Sequence, residues 1–257
     1  MNLQAIKSSL YKEAASHSGK IGYMIREGDE IISHNQNDIF SSASTIKLPL
    51  LIEAFRRFEK GLAAPEKMVP IHSHVGGSGV LQALTAAEMP FADLLSLMTI
   101  VSDNTATNLV IDELELPFPF HFPELGLRDT VLRRKMMDSV SLEKGIDNMT
   151  SPRDLDHCLG LLTDSSLLLP ESRKSIWTIL MNQQFKDKLP FMTEYTGIAV
   201  GNKTGGLPGI DHDCALFRFD GRTVAATVLC NGLDIAESRS FLNFTGKAIV
   251  EMLLGDE

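Results

Sequence analysis

Ser44 and Lys47 stand three residues apart at the head of an apolar run, LPLLIEAFRRFEKG. At a helix start, side chains at that spacing share one face, so an amine can reach a hydroxyl. A serine hydroxyl is a poor nucleophile until a base takes its proton, and a partly desolvated lysine can take it. The positive end of the helix would also favour negative charge developing near Ser44. Alone, Ser44 reads equally as a plain helix cap, so the remaining sequence has to decide.

Two further triplets decide it. Ser102-Asp103-Asn104 follows the apolar run LLSLMTIV and precedes TATNLV, which places it at a helix–loop junction. There the Ser102 hydroxyl could pass a proton to a leaving nitrogen, and Asn104 could orient Lys47 and hold a substrate amide. Asp103 is expected to cap the following helix with its side chain turned inward. Lys203-Thr204-Gly205 ends a β-rich run and is followed by Gly206. Lys203 offers a positive charge to a substrate carboxylate, and the small residues let a substrate backbone lie against a strand edge. The backbone N–H groups of Ser44 and Gly206 could form an oxyanion hole. By chance, S-x-x-K arises on the order of once in a chain of this length, whereas S-D-N or K-T-G arises in only a few per cent of such chains. Both triplets together, in this order, outweigh the capping reading of Ser44.

The elements that must position these residues follow from periodicity. Residues 3–17 read as a helix, with Leu3, Ile6, Leu10 and Ala14 near helical spacing. Strands are expected over 20–26 and 30–34, around Gly28-Asp29. The run after Ser44 reads as a helix closed by Gly61. Residues 72–79 form a glycine-rich loop, and helices are expected over 85–98, 106–115, from Ser151-Pro152, and over 172–184. Three strands follow, over 198–204, 213–219 and 223–230, with a closing helix over 236–254. Asp220-Gly221 reads as a hairpin turn. The expected fold is therefore α/β (α+β): an antiparallel five-stranded sheet made from both chain ends, flanked by the N- and C-terminal helices, with an inserted all-α lobe. Residues 1–47 and 185–257 would form the α/β lobe and 48–184 the helical lobe, with the site in the cleft between them.

Composition narrows the function. The chain has 257 residues, 44% hydrophobic and 22% charged, with a net charge of −9. That charge repels phosphate backbones, and no basic run offsets it, so a nucleic-acid partner is not expected. No stretch has the roughly 18 uninterrupted apolar residues of a membrane span. No secretory leader is legible: a native Met1 implies a cytoplasmic address, and a removed leader implies a secreted or periplasmic one. Cys158, Cys214 and Cys230 lack metal-type spacing and are expected to be buried free thiols. His72 and His74 have an H-x-H spacing but no evident third ligand, so no metal and no cofactor is expected. His212 reads as a turn residue positioning the K-T-G strand. Phe118, Phe120 and Phe122 are expected to cover core surface, and Met136 and Met137 to pack under their loop. The expected partner is a small-molecule substrate, and the expected assembly a monomer.

The ordered set S-x-x-K, S-D-N and K-T-G resembles class A β-lactamases and the penicillin-binding proteins related to them. The stretches FSSASTIKLPLLIEAF, GGSGVLQAL, LMTIVSDNTATNLVI, LGLRDTVLRRKMMD with DNMTSPRDL, and KTGGLPGIDHD extend the resemblance over roughly residues 20–250. It implies a hydrolase acylated at Ser44 by a β-lactam or similar amide, with a role in antibiotic resistance. It also implies that Lys47, Ser102, Asn104, Lys203, Thr204 and Gly206 line the cleft. A D-alanyl-D-alanine carboxypeptidase, a small-ester hydrolase and a non-catalytic penicillin-binding sensor are the alternatives. One stretch departs from the family. Aligning on Thr130 and Arg134 places Met136 where the family carries the glutamate that activates the deacylating water, and Val140 where it carries an asparagine. Asp138 and Glu143 are the nearby carboxylates that could substitute after a shift in the loop. Loss of a general base is worth roughly two to four decades in rate, so acylation is better supported than hydrolysis.

Overall fold

The computed structural model describes residues 2–255; Met1, on which the expected compartment turns, lies outside them, as do residues 256–257. Helix α1 (Leu3–Ser16) is capped by the Asn2 side chain and leads into strands β1 (Lys20–Glu27) and β2 (Glu30–His34). After the two-residue strand β3 (Phe40–Ser41) come α2 (Lys47–Glu59) and a small ribbon of β4 (Met68–Pro70) with β5 (Glu88–Pro90). Then follow α3 (Phe91–Ile100), α4 (Asn104–Glu113), α5 (Ser139–Glu143), β6 (Met149–Thr150), α6 (Pro152–Leu161) and α7 (Pro170–Met181). Strands β7 (Ala199–Leu207), β8 (Ile210–Phe219) and β9 (Arg222–Asn231) lead to α8 (Ile235–Leu254).

The five long strands form one sheet in the order β2-β1-β9-β8-β7, with every neighbour antiparallel. The sheet thus joins both ends of the chain, as the periodicity implied. Its central strands are apolar on both faces because both faces are covered. On one face Ile25, Phe217 and Val228 pack with Leu3 and Leu10 of α1 and Phe241, Leu242 and Ile249 of α8. On the other, Leu216 and Leu229 join Leu48 and Leu51 of α2, Leu155 and Leu159 of α6, and Leu180 of α7. Asp220 and Gly221, both at positive φ, turn β8 into β9. Among the described residues no helix is long and apolar enough to cross a membrane. The three cysteines are buried and free.

Several expectations need correction. The helix expected over 85–98 begins only at Phe91, because Glu88–Pro90 is extended and pairs with β4. Pro90 biases Met89 away from helical geometry and then serves as the helix cap. Helix α4 starts two residues early, since the Asp103 side chain accepts from the Ala106 N–H and caps it there. His212 is no turn residue but lies within β8. Phe118 is exposed although Phe122 is buried. Met136 is buried as expected, but Met137 is exposed, its backbone in the left-handed region at φ 62°.

Helix α8 docks at Gly246, where a Cβ would collide with the carbonyl of Leu189. Gly246→Ala is therefore expected to destabilise the fold by on the order of 3 kcal/mol through overpacking. The measurement is the urea midpoint at unchanged m-value; an unaltered midpoint would mean that α8 does not dock this closely.

Candidate active site

Ser44 lies not in an α-helix but in the 3-10 turn Ala43–Ile46 that precedes α2. At three residues per turn, positions i and i+3 eclipse, so Ser44 and Lys47 still share a face. The Thr45 N–H (3.0 Å) and the Thr45 hydroxyl (2.6 Å) both donate to the Ser42 carbonyl, which holds the turn closed. Strand β7 packs directly against it: a Cβ on Gly205 would stand 3.1–3.2 Å from Thr45 and from the Ser42 carbonyl oxygen. His212 braces the same segment from β8. Its Nδ1 accepts from the Cys230 N–H (3.1 Å), which leaves Nε2–H to donate to the Ser41 carbonyl (2.8 Å). Burial lowers its pKa to about 4, so the ring stays neutral and keeps that tautomer.

The three motifs converge on the Ser102 hydroxyl. Lys47 Nζ lies 3.1 Å from Ser102 Oγ, 2.7 Å from the Ser102 carbonyl and 2.9 Å from Asn104 Oδ1. Lys203 Nζ reaches Ser102 Oγ at 3.1 Å from the other side and donates to the Thr204 carbonyl at 2.8 Å. Both lysines are wholly buried. Burial, with the charge of Lys203 adding to it, holds the Lys47 amine well below its ordinary pKa. Burial likewise lowers Lys203 to about 7.

Once Lys47 has lost a proton, its three oxygen neighbours limit where the two remaining N–H groups can go. The Ser102 carbonyl and Asn104 Oδ1 can only accept, so a neutral Lys47 spends both of its N–H groups on them. Its lone pair then faces the Ser102 hydroxyl, which can donate to Lys47 while accepting from Lys203. Ser102 adopts φ 54° to turn its carbonyl toward Lys47, a left-handed conformation that costs a non-glycine residue on the order of 1 kcal/mol or more. No hydrogen bond joins Ser44 to Lys47 among the described residues. Ser44 is instead half-buried where two cavities meet.

The first cavity, of about 450 Å³, is lined by Ser44, Ser102, Thr204 and Gly206. It also holds a charged cluster for which no motif gave a signal. Buried Lys188 pairs with Asp211 and donates to the carbonyls of Gly205 and His212 at 2.9 Å each, while Arg239 pairs with both Asp211 and Asp187. Only the D-H-D run around His212 hinted at a charged site. The second cavity, of about 380 Å³, is lined by Ser44, Asn104, Gly206 and the loop of residues 134–148. Arg134 and Asp147 close the neck of that loop at 2.7 Å. Asn108 grips the Met136 backbone from both sides, accepting from its N–H (2.8 Å) and donating to its carbonyl (3.1 Å).

The two loop carboxylates fare differently. Asp138 lines the second cavity, but it caps α5, accepting from the Ser141 hydroxyl (2.6 Å) and N–H (3.0 Å). Those bonds hold its carboxyl below the usual range. Glu143 is exposed at the far end of α5 and is not brought to either cavity that Ser44 lines. The buried Met136 side chain lines the wall instead. His72 and His74 sit exposed in their loop, and no group of His, Cys, Asp and Glu among the described residues could hold a metal ion.

A profile of the beta-lactamase enzyme family matches residues 4–253. No curated protein sequence matches. Among solved structures, a β-lactamase from Sphaerobacter thermophilus superposes with a TM-score of 0.87 at 28% identity, covering 98% of each chain. PBP-A superposes with a TM-score of 0.87 at 21% identity, covering 97% of this chain and 96% of its own. A point variant of PBP-A, solved as an acyl-enzyme complex with penicillin-G, gives the same TM-score, identity and coverage. A β-lactamase from Xanthomonas campestris superposes with a TM-score of 0.85 at 21% identity, covering 98% of each chain.

Asp103 holds the cleft loop in place: Oδ2 accepts from the N–H groups of Val80 and Leu81 at 2.7 Å each, and Oδ1 from Ala106 at 2.9 Å. Asp103→Ala is expected to cost on the order of 4 kcal/mol, because it removes three charge-assisted bonds together. Asp103→Asn should recover part of that loss in chemical denaturation. Wild-type stability of Asp103→Asn would show that the charge contributes nothing.

Proposed function

Since the chain belongs to the beta-lactamase enzyme family, we propose that it is a serine hydrolase acylated at Ser44 by a β-lactam or similar amide. The observation that carries this reading is the Ser102 hydroxyl held between the amines of Lys47 and Lys203, beside the two cavities that Ser44 lines. The site then lies in the cleft between an α/β lobe, residues 1–47 and 185–257, and a helical lobe, residues 48–184. Neutral Lys47 takes the Ser44 proton, and the Ser44 oxygen bonds to the amide carbonyl carbon. The N–H groups of Ser44 and Gly206 stabilise the oxyanion. The C–N bond breaks as Ser102 gives its proton to the departing nitrogen, and Ser102 is reprotonated from Lys47. Asn104 positions Lys47 and the substrate amide. Lys203 and Thr204 bind the substrate carboxylate, with Lys203 charged for that purpose. Neither a metal nor a cofactor enters these steps.

The second half, attack of water on the Ser44 ester, has weaker support. Met136 lines the wall where the family's glutamate is expected, Asp138 is engaged as a helix cap, and Glu143 is remote. This favours a slow acyl-enzyme, the behaviour of a penicillin-binding protein, and the PBP-A variant solved as an acyl-enzyme with penicillin-G is in keeping with it. A carboxypeptidase or small-ester hydrolase would use the same acylation half.

Intact-protein mass spectrometry after mixing with penicillin-G is expected to show a persistent adduct of one penicillin, absent from Ser44→Ala. Met136→Glu should shorten the adduct's lifetime by on the order of 100-fold by restoring a base. An adduct on Ser44→Ala would exclude Ser44 as the nucleophile.

The lysines also predict a pH profile. The acylation rate constant kcat/KM should rise with pH as Lys47 loses its proton, at a value well below the ordinary lysine range. For a carboxylate-bearing lactam it should fall again above about pH 7, as Lys203 loses its charge. With the methyl ester of the same lactam the alkaline fall should vanish. If it persists, Lys203 does not act on the carboxylate.

A further inference from the structure

Lys188 is a buried lysine that the acylation steps leave without a role. Its side chain pairs with Asp211. Its backbone is fixed through the next residue: Leu189 donates its N–H to Asp213 (3.2 Å), and its carbonyl packs against Gly246 of α8. A brace between β7 and β8 does not need a buried charge, because well-packed apolar residues in place of a buried ion pair are often neutral or stabilising. What the charge of Lys188 touches is therefore informative.

Its ammonium donates to the carbonyls of Gly205 and His212, at 2.9 Å each. The Gly205 carbonyl belongs to the same planar unit as the Gly206 N–H. That peptide is trans, so its oxygen and its N–H point in opposite directions. With the oxygen turned to Lys188, the N–H is turned away from it, on a residue that lines both cavities beside Ser44. A hydrogen bond from a cation to an amide oxygen draws electron density from the nitrogen. It makes the N–H a stronger donor and holds the plane of the unit.

A carboxylate lies close to the same residue. Asp211 Oδ1 is 3.8 Å from the point where a Cβ on Gly206 would stand. Unpaired, that charge would oppose an oxyanion held at Gly206. Oδ1 instead meets Lys188, and Oδ2 meets Arg239. Lys188 thus acts on the Gly206 N–H in two ways, by polarising its peptide and by neutralising Asp211.

We propose that Lys188 is a positioning residue for acylation: through the Gly205–Gly206 peptide it strengthens the N–H that holds the oxyanion, without touching the substrate. The proposal rests on acylation of Ser44 with Gly206 as an oxyanion donor, and it adds the group that tunes that donor. One oxyanion donor is worth about 10²–10³ in kcat. A polarising bond strengthens the next bond by about 10–30%. Loss of the Lys188 bond should therefore slow acylation about two- to eightfold.

The test compares para-nitrophenyl acetate with its thiono analogue, in which sulfur replaces the carbonyl oxygen. Sulfur accepts hydrogen bonds weakly, so the thiono ester gains little from an oxyanion hole. Neither ester has a carboxylate for Lys203 to bind. Lys188→Met removes the ammonium and leaves Asp211 its bond to Arg239. In that variant kcat/KM for the oxygen ester should fall about two- to eightfold while the thiono ester holds its rate, so the ratio of the two falls. The penicillin-G adduct, isotope-labelled at the lactam carbonyl, gives a second reading. Its infrared carbonyl stretch should move to higher wavenumber in Lys188→Met, because weaker hydrogen bonds leave the carbonyl bond stronger. Lys188→Arg, which keeps a cationic donor, should restore both the ratio and the stretch. Where the urea transition shows Lys188→Met unfolded, Lys188→Gln takes its place with the same expected directions. A folded variant that slows both esters equally, or that leaves ratio and stretch unmoved, overturns this inference alone. A wild-type stretch equal to that of the denatured adduct removes the oxyanion hole, and this inference with it. Ester turnover undiminished in Ser44→Ala overturns the acylation reading on which both rest.

Discussion

Two lysine side chains, Lys47 and Lys203, are wholly buried with no carboxylate bonded to either among the described residues, and both reach the hydroxyl of Ser102. Burying an unpaired ammonium costs several kcal/mol, and a lysine meets that cost by giving up its proton. The fold thus holds both amines below the ordinary lysine range by burying them without a carboxylate partner. Much of the surrounding structure serves to keep them dry and aligned. The 3-10 turn carries Ser44 one turn before Lys47, the tight approach of β7 at Gly205 sets Lys203 against Ser102, and the left-handed Ser102 turns its carbonyl to Lys47. Asp103 and Asn104 then stitch the cleft loop over the cluster through Val80, Leu81, Ser78 and Gly76.

The charges that do have partners lie one layer away. Lys188, Asp211, Arg239 and Asp187 form a chain in which two cations meet two carboxylates. Because these groups neutralise one another, they brace the β7–β8 pair without adding net charge beside the unpaired amines. Asp213 sits near the same pair and is pushed up to about 6 by burial, with Lys188 opposing. Its bonds from the Asn202 amide (3.0 Å) and the Leu189 N–H (3.2 Å) tie the segment before β7 to β8. These bonds fasten the sheet edge that lines the cleft beside Ser44.

The legible part of the site is the part that is local in sequence. Ser44 with Lys47, and Ser102 with Asp103 and Asn104, are set by spacing within one turn, and short motifs capture such spacing. The sheet was legible because both chain ends alternate or run apolar between turn residues. What escaped depends on tertiary contact. Nothing around Lys188 marks it as a buried partner of Asp211, since the pairing is made by packing between distant segments. The helix expected over 85–98 misread Thr85–Pro90 because apolar residues there suit either a helix or a strand, and only pairing with Met68–Pro70 decides. Met137 was misplaced for a similar reason. Composition puts a methionine inside, but the left-handed backbone at this position rotates it outward.

The loop of residues 134–148 is fastened at several points, one of them to the segment that carries Ser44. Arg134 and Asp147 close its neck, Asn148 Oδ1 accepts from the N–H groups of Arg133 and Arg134, and the Ser42 N–H donates to the Asn148 carbonyl at 2.8 Å. The loop is thus bonded to the segment that carries Ser44, while Glu143 stays exposed. Asn108 fixes the Met136 backbone beside the cavity that Ser44 also lines. Met136 packs with the hydrophobic core while lining that cavity, so the residue that stands where the resemblance places a glutamate supplies no carboxylate there.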